Sequence, residues 1–88
     1  MTLTKHAKER FSERFPDEDL ASCYVTAKPV GKKTKRRVKN SCRKHAHEWC
    51  GYNGKYLLRS RRNERVIFVM APQSVVVTVL DYDMCLDQ

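Results

Sequence analysis

The residues near the start of the chain with useful chemistry are His6, Arg10 and Arg14, which recur at every fourth position. On a helix this spacing aligns the three side chains along one side. Cleaving RNA without a metal needs a base for the ribose 2′-hydroxyl, an acid for the leaving oxygen and cations on the phosphate. A histidine one turn from an arginine supplies part of that set. Spacing alone favours a simpler interpretation, in which Arg14 bonds the last carbonyls of its helix and the row is a solvated edge.

A second group of reactive side chains lies in the segment "CRKHAHEWC". Its possible metal ligands are Cys42, His45, His47 and Cys50. Structural zinc sites usually combine two ligands from a tight knuckle with two from a distant element, and this spacing does not match them. We therefore interpret these residues as free thiols and solvated histidines and predict no metal or other cofactor, with a zinc-stabilised domain as the alternative.

The charge is concentrated in the middle of the chain. The formal net charge is +8, and the segment from Lys28 to Arg65 has 14 basic residues but only two acids, Glu48 and Glu64. This distribution indicates a polyanionic partner, with nucleic acid the first candidate and a solubilising face the alternative. The candidate nucleic-acid-binding residues are Lys32, Lys33, Lys35, Arg36, Arg37, Lys39, Arg43, Lys44, Lys55, Arg61, Arg62 and Arg65.

Length and composition exclude several classes of protein. Eighty-eight residues make one domain, and only three glycines leave no room for a glycine-rich phosphate loop. The N-terminus lacks the apolar run of a signal peptide, and no stretch is long enough to span a membrane. We therefore expect a cytoplasmic protein with reduced cysteines and no membrane partner.

The N-terminal half predicts helices. Thr4 is a candidate N-cap and Pro16 ends the first helix. Asp17 is the candidate cap of a second helix that would end near Pro29 and Gly31. The basic segment 31–44 either leads into a helix over about 35–49 or stays extended and flexible until nucleic acid orders it.

The C-terminal third predicts strands. The segments "KYLLRS", "RVIFVMA" and "SVVVTVLDYD" are rich in β-branched and aromatic residues, and short polar segments separate them. In the last strand, strict alternation would place Val75, Val77 and Val79 on one face and Val76, Thr78 and Leu80 on the other. The predicted fold class is α+β, with N-terminal helices packed on a C-terminal three- to four-stranded antiparallel sheet.

Two residues of these strands are candidates for contact with a substrate. Arg59 shares a strand face with Leu57, so its side chain is expected to project from the sheet. Tyr82 follows the last strand and could stack on a base or donate a hydrogen bond to a phosphate. The ordinary alternative is a structural tyrosine at the end of a strand.

The two ends of the chain together resemble a known group of proteins. The opening "LTKHAKERFSERFPDEDL" is similar to small toxin-like domains whose first helix reads approximately T-x-H-A-x-x-R-x-x-x-R, and "VVVTVL" is similar to their closing strand. These are the RelE-like and colicin-like ribonucleases. The resemblance covers the first 20 residues and roughly the last 34, and not the basic middle.

The resemblance implies a helix packed on a compact sheet, a shallow RNA-binding cleft and cleavage by attack of the 2′-hydroxyl without a metal. It implies that His6 is the general base or acid and that Arg10 and Arg59 bind the phosphate. It also implies that Thr78 lies on the cleft floor. In the catalytic hypothesis, His6, Arg10 and Arg59 converge on one phosphate, and either Lys55 or Tyr82 assists as a further catalytic residue.

Two functions follow as hypotheses. The first is a small RNA-directed protein acting as a toxin-like endoribonuclease, with an antitoxin as a possible partner. The second is a non-catalytic basic module of phage or mobile-element type that binds nucleic acid or inhibits a host protein. The first depends on the His6 row, whereas the second depends on the basic segment.

Overall fold

The computed structural model describes residues 2–41 and 56–82. The elements in chain order are β1 (Thr2–Leu3), α1 (Lys5–Arg14), α2 (Leu20–Val25), β2 (Lys28–Pro29), α3 (Lys32–Ser41), β3 (Tyr56–Arg59), β4 (Val66–Ala71) and β5 (Val75–Asp81). The predicted α+β class is confirmed. None of the helices in the described ranges is both long enough and apolar enough to cross a membrane.

The sheet has five strands in the order β1-β5-β4-β3-β2. Strands β3, β4 and β5 form the predicted antiparallel meander. Two short strands extend it: β1 pairs parallel with β5, and β2 pairs antiparallel with β3. Each added strand has two residues, so neither is long enough to show a strand periodicity in the sequence.

The sheet is covered on two faces. On the first face, α1 and α2 pack over a buried cluster: Ala7, Phe11, Phe15, Cys23, Val66, Phe68, Met70, Val76 and Val79. On the second face, α3 contributes Val38 to a smaller cluster: Val38, Leu57, Ile67, Val69, Leu80 and Tyr82. Because both clusters draw on β4 and β5, these strands are apolar on both sides.

A β-bulge in β5 changes which residues share a face. Val69 pairs with Thr78 but Met70 pairs with Val76, so Val77 is an extra residue in the ladder. Val76 and Val79 therefore belong to the first-face cluster, and Val77 packs with the second-face cluster. The strict alternation expected from the sequence is wrong for this strand, because the inserted residue shifts the period by one.

Thr4 joins α1 to the sheet. Its side-chain oxygen accepts a hydrogen bond from the Ala7 amide at 3.1 Å and donates to the Val77 carbonyl at 3.1 Å. The predicted N-cap is therefore confirmed, and the same hydroxyl also anchors the helix to β5. At the other end, the Phe15 amide donates to the Phe11 carbonyl at 2.8 Å and ends the helix.

The second helix is shorter than predicted. Its N-cap is Asp19 rather than Asp17, and it ends at Val25 because Lys28–Pro29 pairs with β3 as strand β2. Hydrogen bonds from the Ser22 hydroxyl and amide hold the pKa of Asp19 below its ordinary value. The stabilisation from this cap is therefore present above the ordinary carboxyl pKa and is lost as the pH falls through the lowered value.

Helix α3 begins at Lys32, three residues before the predicted start at Lys35, and continues to Ser41. The Lys35 amide donates to the Gly31 carbonyl at 3.0 Å, which places Gly31 at the start of the helix. The predicted end near Trp49 lies outside the described residues.

An ion pair joins the ends of β4 and β5. The Arg65 guanidinium donates to both carboxylate oxygens of Asp81, with Nη2–Oδ2 at 2.6 Å and Nε–Oδ1 at 3.3 Å. The Asp81 side chain is only 3% exposed, whereas that of Arg65 is 51% exposed. The guanidinium carbon also lies 5.8 Å from the centre of the Phe15 ring. The pair therefore links the sheet to the C-terminal end of α1.

We expect Asp81→Asn to lower the free energy of unfolding by about 2 kcal/mol, less than for a fully buried pair because Arg65 is half exposed. Denaturant unfolding of the purified variant would measure this loss. The matched control is Glu13→Gln, which breaks the surface pair between Arg10 Nη1 and Glu13 Oε2 at 2.7 Å and should cost less than about 0.5 kcal/mol. Equal losses in the two variants would contradict a structural role for the Asp81 pair.

Candidate nucleic-acid interface

Helix α3 presents cations to solvent. Five of its first six residues are exposed and basic: Lys32, Lys33, Lys35, Arg36 and Arg37. The helix faces the sheet with Val38, which is 1% exposed, and with the half-buried Thr34 one turn earlier. Because Thr34 and Val38 are four residues apart, they lie on one side and leave the rest of the circumference to the cations.

The charges on α3 are not arranged to stabilise the helix. Lys32–Ser41 includes no acidic residue, so no ion pair can form between the described residues of the helix. Like charges repel at spacings of four, such as Lys32 with Arg36. Lysines also occupy its first turn, where the partial positive charge of the helix N-terminus disfavours cations. A bound polyanion would relieve both sources of repulsion.

A cleft of about 230 Å³ opens beside the start of α3. Its lining comes from β2, from the first turn of α3 and from the end of β3 with the following loop: Lys28, Pro29, Val30, Gly31, Thr34, Arg59, Ser60, Arg61 and Glu64. Three of these side chains are cationic and one is acidic. The cleft therefore continues the positive surface of α3 onto the edge of the sheet.

Arg59 is held in place within this cleft. Its Nε donates to the Glu64 carbonyl at 2.7 Å, and its guanidinium carbon lies 4.3 Å from the centre of the Tyr82 ring. Both contacts fix the plane of the guanidinium. The Glu64 carboxylate is a looser partner, with Oε2 4.0 Å from Nη2 and a side chain that is 77% exposed.

The loop after β3 is attached to α2 by hydrogen bonds. The Arg61 amide donates to the Thr26 carbonyl and the Arg62 amide to the Thr26 hydroxyl, both at 3.3 Å. The Thr26 hydroxyl also shares a hydrogen bond of 3.2 Å with the Ser60 hydroxyl. These bonds fix the backbone from which Arg61 projects. The Arg62 side chain turns toward α2, with its Nε 3.6 Å from Glu18 Oε2.

Cys23 lies under this junction and is fully buried. Burial, together with the nearby Glu18 carboxylate, raises the pKa of the Cys23 thiol. The thiol is therefore protonated at neutral pH and is not an activated nucleophile.

Two of the three residues of the α1 row make contacts with other side chains or with the sheet. Arg14 Nη1 donates to the Val79 carbonyl of β5 at 2.9 Å, instead of bonding the last carbonyls of its own helix. Arg10 pairs with Glu13 at 2.7 Å, and His6 is exposed on the helix surface. The row is thus an edge of the helix with one arginine docked on the sheet.

The structure does not bring the four predicted catalytic residues together. Helix α1, with His6 and Arg10, packs on the first face of the sheet. Arg59 lies against Tyr82, whose ring belongs to the second-face cluster. Tyr82 is only 7% exposed and Arg59 lies over its ring, so that face of the ring is closed to a base. Thr78, predicted for the cleft floor, is a buried residue of β5.

The other residues singled out in the sequence lie in three places. Arg65 is engaged with Asp81 and Phe15, away from α3. Lys39 lies within α3. Outside the described residues lie Cys42, Arg43, Lys44, His45, His47, Cys50 and Lys55. Within residues 2–41 and 56–82, no group of three or more His, Cys, Asp or Glu residues could bind a metal ion.

Lys28 lines the cleft but is not among the nucleic-acid ligands predicted from the sequence. Its backbone pairs with Arg59 through β2, which places the two cations on neighbouring strands although 31 positions separate them in the sequence. The isolated basic residue before "PVG" gives no periodic signal, so only the strand pairing reveals its place in the cleft.

We expect Thr26→Val to loosen the loop after β3, because it removes the hydroxyl that accepts from the Arg62 amide. Stability should fall by about 1–2 kcal/mol, and hydrogen exchange of the Arg62 amide, followed by NMR, should accelerate. Thr26→Ser keeps the hydroxyl and should retain slow exchange. Unchanged exchange in Thr26→Val would show that other contacts position the loop.

Comparison of the chain with family models, with curated proteins and with solved structures finds no match. The resemblance to RelE-like and colicin-like ribonucleases therefore stays a prediction. The function has to be inferred from the geometry of α3 and the adjoining cleft.

Proposed function

We propose that this protein is a small RNA-binding module that contacts the phosphate backbone through α3 and the cleft beside it, without cleaving the strand. The observation that supports this most directly is the set of exposed cations on α3. They stand on a helix with no acids, and several occupy the turn where cations destabilise a helix. Residues that weaken their own helix are better explained by a ligand than by folding.

The chemistry of the surface favours backbone contacts over base recognition. Lysine and arginine bind phosphate oxygens at any sequence, and arginine does so with two parallel hydrogen bonds. The cations of α3 project from the convex surface of a helix, so they can contact the phosphate backbone of a nucleic acid strand that lies across the helix. Binding of this kind is electrostatic, tolerates many sequences and weakens steeply with salt.

RNA is the preferred polyanion because of the resemblance at both ends of the chain to RNA-directed proteins. Cleavage receives less support than binding, since His6 lies on the helix of the first face and Arg59 on the second face. A metal-independent ribonuclease needs its acid or base and its phosphate-binding cation around one phosphate.

We expect the double substitution Lys32→Gln/Lys35→Gln to weaken binding of a fluorescent RNA by roughly tenfold and to reduce the salt dependence. Each lost phosphate contact lowers the slope of log K against log salt by about 0.7 on a single strand, so the slope should fall by about 1.4. Fluorescence anisotropy over a salt series measures both quantities.

The matched control is Lys5→Gln/Lys8→Gln. These lysines are also exposed, and they occupy the same first and fourth positions of another ten-residue helix, α1. The control should bind RNA almost as tightly as the parent. If both double variants weakened RNA binding equally, only the net charge of the protein would matter and the role of α3 would be contradicted. Absence of RNA binding by the parent protein would refute the proposed function.

RNA recovered from the same mixtures, incubated with a chelator, should remain intact. Defined cuts ending in a cyclic phosphate, present with the parent and absent with His6→Ala, would instead support the toxin-like endoribonuclease. In that case the α1 row would be the catalytic site.

A further inference from the structure

We propose that the cleft bounded by β2, the start of α3 and the loop after β3 binds a terminal phosphate monoester of the RNA strand. This inference rests on the proposed function and deepens it. The cleft would bind the phosphorylated end of the strand, while α3 contacts the internal phosphates.

Cationic residues from three elements line the cleft. Among the described residues that line the cleft, Lys28 of β2, Arg59 of β3 and Arg61 of the following loop are cationic, and Glu64 is acidic. An internal phosphodiester carries one negative charge, whereas a phosphate monoester carries about 1.5 to 2 at neutral pH and exposes three terminal oxygens. Three cations around one recess match the monoester better than the diester.

Arg59 is preorganised for binding an anion. Because its Nε is already bonded to the Glu64 carbonyl at 2.7 Å and its plane rests on the Tyr82 ring, a ligand would not have to immobilise it. Arginine with a fixed plane binds phosphate oxygens with less loss of side-chain entropy than a mobile lysine does.

A phosphate in the cleft would displace only a weak contact between Arg59 and Glu64. Glu64 Oε2 lies 4.0 Å from Arg59 Nη2, far beyond the usual 2.7–2.9 Å of a charge-assisted hydrogen bond, and the glutamate is 77% exposed. Exposed pairs of this kind contribute little to stability. A phosphate can therefore replace the carboxylate at small cost.

The size and surroundings of the cleft fit a single phosphate group better than a complete small-molecule ligand. Its volume of about 230 Å³ is below the roughly 300–1,000 Å³ of pockets that enclose small-molecule ligands. A Cβ added at Gly31 would meet nothing within 4 Å, so the space beside the start of α3 is open. The recess can accept a phosphate while the attached strand leaves toward α3.

The test compares RNAs of one sequence, about 12 nucleotides long, that carry a 5′-hydroxyl, a 5′-phosphate or a 3′-phosphate. The fluorophore is attached to the opposite end in each case, and every phosphorylated strand is compared with its own hydroxyl counterpart. At fixed salt we expect one of the two phosphorylated ends to bind about tenfold more tightly than the hydroxyl end.

Variants separate the cleft from the helix. Lys28→Gln and Arg61→Gln alter exposed side chains. Each should bring the ratio of the affinity for phosphorylated RNA to the affinity for hydroxyl-ended RNA close to one. The double variant Lys32→Gln/Lys35→Gln should weaken binding of the phosphorylated and the hydroxyl-ended RNA equally and leave the ratio of their affinities unchanged. This inference would be overturned if the parent bound phosphorylated and hydroxyl-ended RNA with equal affinity. It would also be overturned if the preference for the phosphorylated RNA persisted in both cleft variants. Absence of binding to every RNA would overturn the proposed function instead.

Discussion

A sheet that is apolar on both faces must be covered on both sides, and this requirement organises the chain. The residues of β4 alternate between the first-face cluster and the second-face cluster, so neither side can be left to water. Helices α1 and α2 cover the first face with aromatic and small residues. Among the described elements, α3 is the helix that contributes to the second-face cluster, and it does so through Val38. Once Val38 points inward, the cations of α3 must point outward.

The distribution of ion pairs separates structural arginines from the candidate interface. Around the loop between β3 and β4, Arg62 faces Glu18, Arg65 is bonded to Asp81 and Arg59 has a loose contact with Glu64. Helix α3 has no acid of its own. The loop arginines therefore contribute partly to folding, whereas the cations of α3 have no acidic partner among the helix's own residues Lys32–Ser41. A polyanion bound along α3 would replace intramolecular repulsion with attraction.

Local patterns in the sequence were enough to predict the Thr4 cap, the three-stranded meander and the fold class, because each depends on neighbouring residues. Features that depend on long-range pairing could not be predicted. The bulge at Val77 appears only when β5 is aligned with β4, and it changes the face of every residue on one side of it. Helical spacing likewise aligned His6 with Arg10 but could not show that α1 and Arg59 lie on opposite faces of the sheet.

The central claim is that RNA binds along α3 and the adjoining cleft, and NMR chemical-shift mapping tests it most directly. Labelled protein would be titrated with a short single-stranded RNA and the backbone amide shifts followed. The account predicts the largest changes within α3 and at Lys28, Arg59 and Arg61, with little change in α1. Changes centred on His6 and Arg10, with α3 unaffected, would contradict it.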